Sequence, residues 1–387
     1  MENKALDKLH RGQIQFGDST FNPIKVSISQ FYGIEINDFA VTVAKTALWI
    51  AESQMMKETE NILHLNLDFL PLKSYTNIIE GNALKLDWNN VIPKEELNYI
   101  MGNPPFIGAA WQTEEQKKDL KYLNIYESKD IDYVSGWFAK AAEYIYNTNI
   151  CCSFVSTNSI SQGSQVSSIW QILCRKYNIH IDFAYRTFVW SSEASLKAKV
   201  HCIIIGFSSF NNRKEKMLYD GETKKIVNQI NFYLNDGPVI FVETATKPIC
   251  NVPEMCRGND PVDGGYLILT EEEMEDFINK EPETKQFIRP YMMGKDFIDR
   301  KPRYCIWLQN ADISEVRKCR TIMSRVEKVR DFRLQSKSAS TVKLADIPML
   351  FMRRKEYNKG YVAVPKVSSQ RRKYIPIDYL DGKIIPR

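Results

Sequence analysis

Histidine is scarce in this 387-residue chain, with 4 copies, and cysteine is limited to 8. So few cysteines cannot form a disulfide scaffold in a protein of this size, and Cys151, Cys152, Cys202 and Cys305 lie in apolar stretches suited to buried thiols. Cys250 and Cys256 are not at Cys-x-x-Cys spacing, so no zinc or other metal site is expected. No apolar run approaches the length of a membrane span, and the polar, charged segment from Met1 to Gln15 has no signal-peptide core. These absences argue against secreted, zinc-binding and membrane-spanning classes and lead to the expectation of a cytoplasmic protein with no membrane partner. No internal repeat and no low-complexity tract is found either.

What is present is enough apolar material, 44% of residues, for one large core or two ordinary ones. Two domains are expected, 1–245 and 246–387. The net charge of +5 conceals a division. Residues 285–387 carry 25 Lys+Arg against 10 Asp+Glu, a net +15, leaving 27 against 37, a net −10, for residues 1–284. A basic region interleaved with Tyr291, Tyr304, Trp307, Tyr357, Tyr361, Tyr374 and Tyr379 suits a polyanion. Arg353, Arg354, Arg371 and Arg372 are its candidate phosphate or guanine contacts, and the sequence does not separate those two roles.

From Phe31 onward, strand-like and helix-like segments alternate, which indicates an α/β layer structure. Phe31–Ile36 reads as a buried strand, followed by a helix capped by Asn37 or Asp38 with Ala40, Val43, Ala44, Ala47, Leu48 and Ala51 on its apolar face. Further strands are expected at Asn77–Gly81, Tyr99–Met101 and Ile150–Val155, with helices at Asp132–Tyr146 and Ser164–Lys176. His180–Trp190 and Lys199–Ser208 read as an antiparallel hairpin at a sheet edge. The polar stretch 209–245 reads as a linker or peripheral loop, Ile313–Arg333 as a helix, and Tyr361–Val364 as strand.

Gly102-Asn103-Pro104-Pro105-Phe106 follows the third strand and carries a specific chemistry. An exocyclic amine on a nucleobase is a poor nucleophile because its lone pair is delocalised into the ring. The Asn103 side-chain carbonyl and the main-chain carbonyl beside it can accept its two hydrogens, drawing the nitrogen toward tetrahedral geometry and aiming the lone pair at a methyl sulfonium. Pro104 and Pro105 hold the loop rigid and remove competing donors, and Phe106 offers a stacking face to an extruded base. Taken alone, the tetrapeptide reads equally well as a Pro-rich turn after a strand.

Two further strand ends lie upstream. Glu35 and Ile36 close the first strand, where a carboxylate can accept from ribose hydroxyls. Asn82 and Ala83 close the second, where an amide can read a purine edge and a small neighbour leaves room. Three successive strand ends on one rim describe a crevice.

The succession Gly33-Ile34-Glu35-Ile36, Gly81-Asn82-Ala83-Leu84, Gly102-Asn103-Pro104-Pro105-Phe106 resembles motifs II, III and IV of adenine-specific, S-adenosylmethionine-dependent DNA methyltransferases. More closely, the chain resembles the MmeI-type restriction-modification enzymes, single polypeptides of type IIL/IIG, over nearly its whole length. Cys202–Phe207, Gly258-Asn259 with Asp263–Leu269, Arg303–Leu308, and Val364–Ser369, which contains Lys366 and Ser368, extend the likeness in the family's order. The resemblance implies a doubly wound, Rossmann-like class I methyltransferase sheet with a C-terminal α+β target recognition domain. It implies S-adenosylmethionine held at Glu35, Ile36, Asn82 and Ala83, and double-stranded DNA whose flipped adenine meets Asn103, Pro104, Pro105 and Phe106. Lys366 and Ser368 would join the arginines at the DNA.

One departure is large. The family's Gly-rich first motif, expected upstream of Phe31, is missing: Gly12 and Gly17 are five apart with no apolar strand before them. In the family that strand lies between the Glu35 and Asn103 strands, so the sheet is expected to be incomplete, with unpaired neighbours facing a gap. The family's upstream helical domain and Asp/Glu-x-Lys nuclease are missing too, and the recognition domain is expected to be truncated at its C-terminus. Glu222-Thr223-Lys224 and Glu283-Thr284-Lys285 match the nuclease tripeptide only as chance does in a Lys/Glu-rich chain. The expectation is weak cofactor binding and poor methylation by this chain alone, restored by a separately encoded N-terminal segment. Alternatives are a non-catalytic sequence-specific DNA-binding module, or methylation of an RNA base or a protein glutamine, the last disfavoured by the basic region.

Overall fold

The computed structural model describes residues 26–63, 77–123, 131–190, 200–210, 215–245, 247–301, 303–357, 359–369 and 372–387. The chain forms two compact units, Met1–Lys247 and Pro248–Arg387.

The first unit is built on two separate sheets. Strands β1 (Tyr32–Glu35) and β2 (Asn77–Glu80) pair in parallel, with Glu35 opposite Glu80. A six-stranded mixed sheet has the order β3-β4-β6-β5-β7-β8. Its strands are β3 (Tyr99–Gly102), β4 (Cys151–Thr157), β5 (His180–Trp190), β6 (Val200–Ser208), β7 (Lys216–Asp220) and β8 (Thr223–Val227). The β3–β4 and β5–β7 pairs are parallel, and the rest are antiparallel.

The core forms where apolar residues of period two meet apolar residues of period 3.6. In β4, buried Cys152 and Phe154 alternate with half-buried neighbours. They face helix α3 (Ser135–Ile145; α1 and α2 follow below), whose Phe138 ring centroid lies 5.2 Å from those of Phe154 and Trp170 and 5.4 Å from that of Phe207. Trp170 closes a π-helical turn, Val166–Trp170, that runs into α4 (Gln171–Tyr177), and its indole donates to the Ile160 carbonyl at 2.9 Å. A donor satisfied inside the core lets this bulky ring be fully buried.

Four expectations are corrected here. The Glu35 strand is not buried: Phe31 is 49% and Ile36 67% exposed, because β1 has a partner on one side only among the described residues. Helix α1 (Asp38–Leu63) turns Val41, Ala44 and Leu48 inward, while Val43, Ala47 and Ala51 face out. A second apolar stripe, Phe39, Val43 and Ile50 with Trp49 beside it, is left exposed, so two faces of this helix compete for the role of apolar side. The β5–β6 pair is antiparallel as expected, but β6 lies inside the sheet and β8 forms the far edge. The connection between β5 and β6, residues 191–199, lies outside the described residues.

Finally, the polar stretch after β6 is not a linker. Its residues form the β7–β8 hairpin, turning at Gly221 with φ +57°, and Phe232 stacks on Trp170 at 5.0 Å. Lys216 of β7 is buried against Asp182 of β5, which is how a Lys-rich segment can enter the core.

The second unit carries a four-stranded sheet of order β14-β10-β11-β9. Its strands are β9 (Ile268–Leu269), β10 (Ile288–Met292), β11 (Arg303–Ile306) and β14 (Ile385–Pro386), while β12 (Tyr361–Ala363) pairs with β13 (Asp378–Leu380). Thr270 and Glu273 close a capping box on α5 (Glu271–Lys280). The expected helix 313–333 is interrupted at Cys319 into Ile313–Lys318 and Arg320–Leu334. Arg333 on the second of these is fully buried and donates to the main-chain carbonyls of Pro261, Val262, Leu344, Ile347 and Leu350. This cation belongs to the core rather than to a polyanion surface.

Candidate active site

Parallel pairing sets the ends of β1 and β2 side by side. The Gly81 N–H donates to the Glu35 carbonyl at 2.8 Å, so Glu35 and the Gly81–Leu84 turn share one rim. One Glu35 carboxylate oxygen accepts from the Asn37 N–H at 3.1 Å, and Asn37 in turn caps α1 by accepting from the Ala40 N–H at 2.9 Å. Ile36 is exposed beside it. Ala83 presents its carbonyl to the Trp88 indole at 2.9 Å.

Asn82 is held from two directions. Its Oδ1 accepts from the Leu84 N–H at 2.9 Å, and its Nδ2 donates to Asp119 Oδ2 at 2.9 Å. Asp119 lies on α2 (Glu114–Tyr122), a helix whose start is fixed by a capping box between Thr113 and Gln116. The same Oδ2 accepts from the Tyr133 hydroxyl at 2.8 Å, and Lys85 Nζ lies 3.2 Å from Oδ1. Burial resists ionisation of Asp119, but donation from Asn82, Tyr133 and Lys85 outweighs it and holds the carboxyl below the usual range. Tyr133 is pushed far up, by burial and by the Asp119 carboxylate it donates to.

The Asn103 loop leaves the end of β3, an edge strand of the six-stranded sheet. Asn103 is exposed, and its side chain has no hydrogen-bond partner among the described residues. Pro104 is buried, Pro105 exposed and Phe106 half-buried, so the loop is anchored at alternate residues. Past it, the Ile107 carbonyl accepts from the Tyr133 N–H at 2.9 Å and the Ala109 N–H donates to Asp132 Oδ1 at 3.2 Å. Ser159 donates to the other Asp132 oxygen and shares a 2.7 Å hydrogen bond with Thr157, which ties the loop to the end of β4.

A cavity of about 300 Å³ opens here, lined by Phe106, Ile107, Gly108, Asp132, Thr157, Asn158, Ser159, Val200 and His201. It has an aromatic wall beside a polar one, the surfaces needed to stack a planar heterocycle and hydrogen-bond its edge. The loop motif was legible in the sequence, whereas Asp119, Tyr133, Asp132 and Ser159 were not. None of them carries a local signal in the sequence.

Among the described residues the two-stranded and six-stranded sheets of this unit do not join. Among the described residues neither the outer edge of β1 nor that of β3 has a strand partner. Tyr99 and Met101 on β3 are 68% and 78% exposed.

In the second unit, Arg353 is half-buried and joined to Asp260 through main-chain hydrogen bonds of 3.1 and 3.2 Å, leaving its side chain for other contacts. Arg354 is exposed and donates to the Phe351 carbonyl at 3.1 Å. Lys366, Ser368 and Arg372 are exposed, and Arg371 lies outside the described residues.

Comparison with known proteins accords with this arrangement. Residues 1–220 match the family model for the MmeI DNA-methyltransferase domain, and residues 236–387 match that for the MmeI target recognition domain. The chain is 40% identical over 382 residues to DNA methyltransferase A of Bacillus subtilis (strain 168), covering 97% of this chain and 43% of that protein. It superposes on the structure of the type IIL restriction-modification enzyme MmeI in complex with DNA with a TM-score of 0.86 at 40% identity, covering 100% of this chain and 52% of that one. The chain therefore spans about half the length of these relatives or less. Two adjoining family models, matched in order across most of its residues, show that the chain belongs to the MmeI family of DNA methyltransferases.

Proposed function

We propose that the chain is the methyl-transfer and target-recognition part of an adenine-specific DNA methyltransferase of a restriction-modification system. Residues 1–245 carry the chemistry and 246–387 read the DNA. The observation that carries this reading is the free Asn103 amide at a strand end, beside the cavity of Phe106, on a loop pinned by buried Pro104.

S-adenosylmethionine, when bound, supplies an electrophilic methyl group. The chain's own residues do the rest. Glu35 has a carboxylate oxygen available for ribose hydroxyls, Asn82 keeps one amide hydrogen and one oxygen lone pair for a purine edge, and Ile36 and Ala83 flank the ring. Asn103 and the Pro104 carbonyl accept the two hydrogens of a flipped adenine's amine, while Pro105 and Phe106 hold the ring. Arg353, Arg354, Lys366, Ser368, Arg371 and Arg372 bind double-stranded DNA.

The proposed location is the cytoplasm. The test is methylation of adenine in plasmid DNA by the protein and by its Asn103→Ala variant. Transfer that the substitution abolishes while DNA binding remains supports the reading, and equal transfer by both proteins would overturn it.

A further inference from the structure

The Asn82 amide has its orientation chosen for it. Asp119, ionised, can only accept, so the group facing it at 2.9 Å must be the NH₂, and the Leu84 N–H can only donate, so the group facing that must be the carbonyl. Neither contact would survive a flip. Asp119 is itself fixed: its side chain is 3% exposed, and Tyr133 donates to the same oxygen. Each amide atom retains one unused site, a hydrogen on Nδ2 and a lone pair on Oδ1. Together these form a donor–acceptor edge complementary to the N1 and exocyclic amine of adenine. Hypoxanthine presents the reverse, a donor at N1 and an acceptor at O6.

We propose that Asp119 is a positioning residue that sets the purine selectivity of the cofactor site, acting through the orientation of Asn82. This inference rests on the reading that Asn82 faces the cofactor's purine. Asp119 and Tyr133 also extend the hydrogen-bonded path from the Asn82 turn to the Ile107 carbonyl, so the residue that orients the purine reader also braces the loop beyond Asn103.

The test uses the full 387-residue chain, with S-adenosyl-L-homocysteine and its inosine analogue as probes in equilibrium binding by ligand-observed NMR. The wild-type chain should prefer the adenine compound. Asp119→Asn has nearly the same shape, but it can donate as well as accept, so it removes one of the two contacts that fix the Asn82 amide and leaves only the Leu84 N–H to hold it, and should narrow the preference by about tenfold. Tyr133→Phe, which removes a donor without freeing the amide, should leave the preference in place and serves as the control for a general loss of packing. Asn82→Ala should abolish discrimination. If Asn82→Ala leaves binding and preference unchanged, the underlying reading of Asn82 fails, and the inference fails with it. If Asn82→Ala acts but a folded Asp119→Asn chain keeps the full preference, the inference alone is overturned.

Discussion

Lys216 Nζ lies 3.0 Å from Asp182 Oδ1 between adjacent parallel strands, and each side chain is only 4% exposed. The hairpin that extends the sheet therefore carries a charge that must be neutralised where it sits. Lys216→Met or Asp182→Asn alone should destabilise the first unit by about 3–5 kcal/mol, because each leaves an uncompensated buried group. Replacing both with apolar residues should cost far less. Urea unfolding of the two single variants and the double variant checks this, and additive losses would contradict it.

Asn103→Ala should remove methyl transfer while leaving DNA affinity within about twofold, since the exposed side chain supports no fold contact among the described residues. Loss of an acceptor aimed at the reacting amine corresponds to about 10²–10³ in rate. Methyl incorporation and a DNA-binding titration give the two readouts. A non-catalytic DNA-binding module would show neither activity nor any effect of the substitution.

The Asp119 carboxyl is held below its usual range despite burial, by donation from Asn82, Tyr133 and Lys85. A group whose folded pKa is depressed contributes stability above its unfolded value, about 3.9, and loses it as pH falls through the lower folded value. The wild-type chain should thus lose stability below about pH 4 more steeply than Asp119→Asn, which has no proton to take up. Thermal melts of both proteins between pH 3 and 7 test the slope, and superimposable slopes would contradict the assignment.

Exposed Lys366 should act through phosphate. Lys366→Ala is expected to weaken binding to all DNA sequences alike and to reduce the log K against log salt slope by about 0.9. A sequence-dependent loss at unchanged slope would assign Lys366 to base reading instead.

The strand ends at Glu35, Asn82 and Asn103 were legible because each combines an apolar run with a residue type that a turn needs and a chemistry uses. The α/β class was legible for the same reason. The β7–β8 hairpin was not, because Lys216, Lys224 and Lys225 make its composition that of a linker, and only the distant Asp182 admits Lys216 to the core. Arg333 was hidden among surface-like arginines, since the carbonyls that surround it come from two separate stretches, 261–262 and 344–350. Helix α1 misled in another way. Its apolar residues cover two faces, and periodicity alone cannot say which face the described core will take. Asp119 carried no local signal, because its partners Asn82 and Tyr133 lie 37 and 14 residues away.

The unpaired edges of β1 and β3 have a consequence for the chain as a solute. Among the described residues neither edge has a strand partner, and on β3 that edge lies beside the exposed side chains of Tyr99 and Met101. Such an edge recruits whatever strand is nearest, and at high protein concentration that is the same edge of another copy. The isolated polypeptide should therefore form concentration-dependent aggregates that a short edge-matching peptide dissolves, which makes solubility a direct report on whether the sheet has been completed.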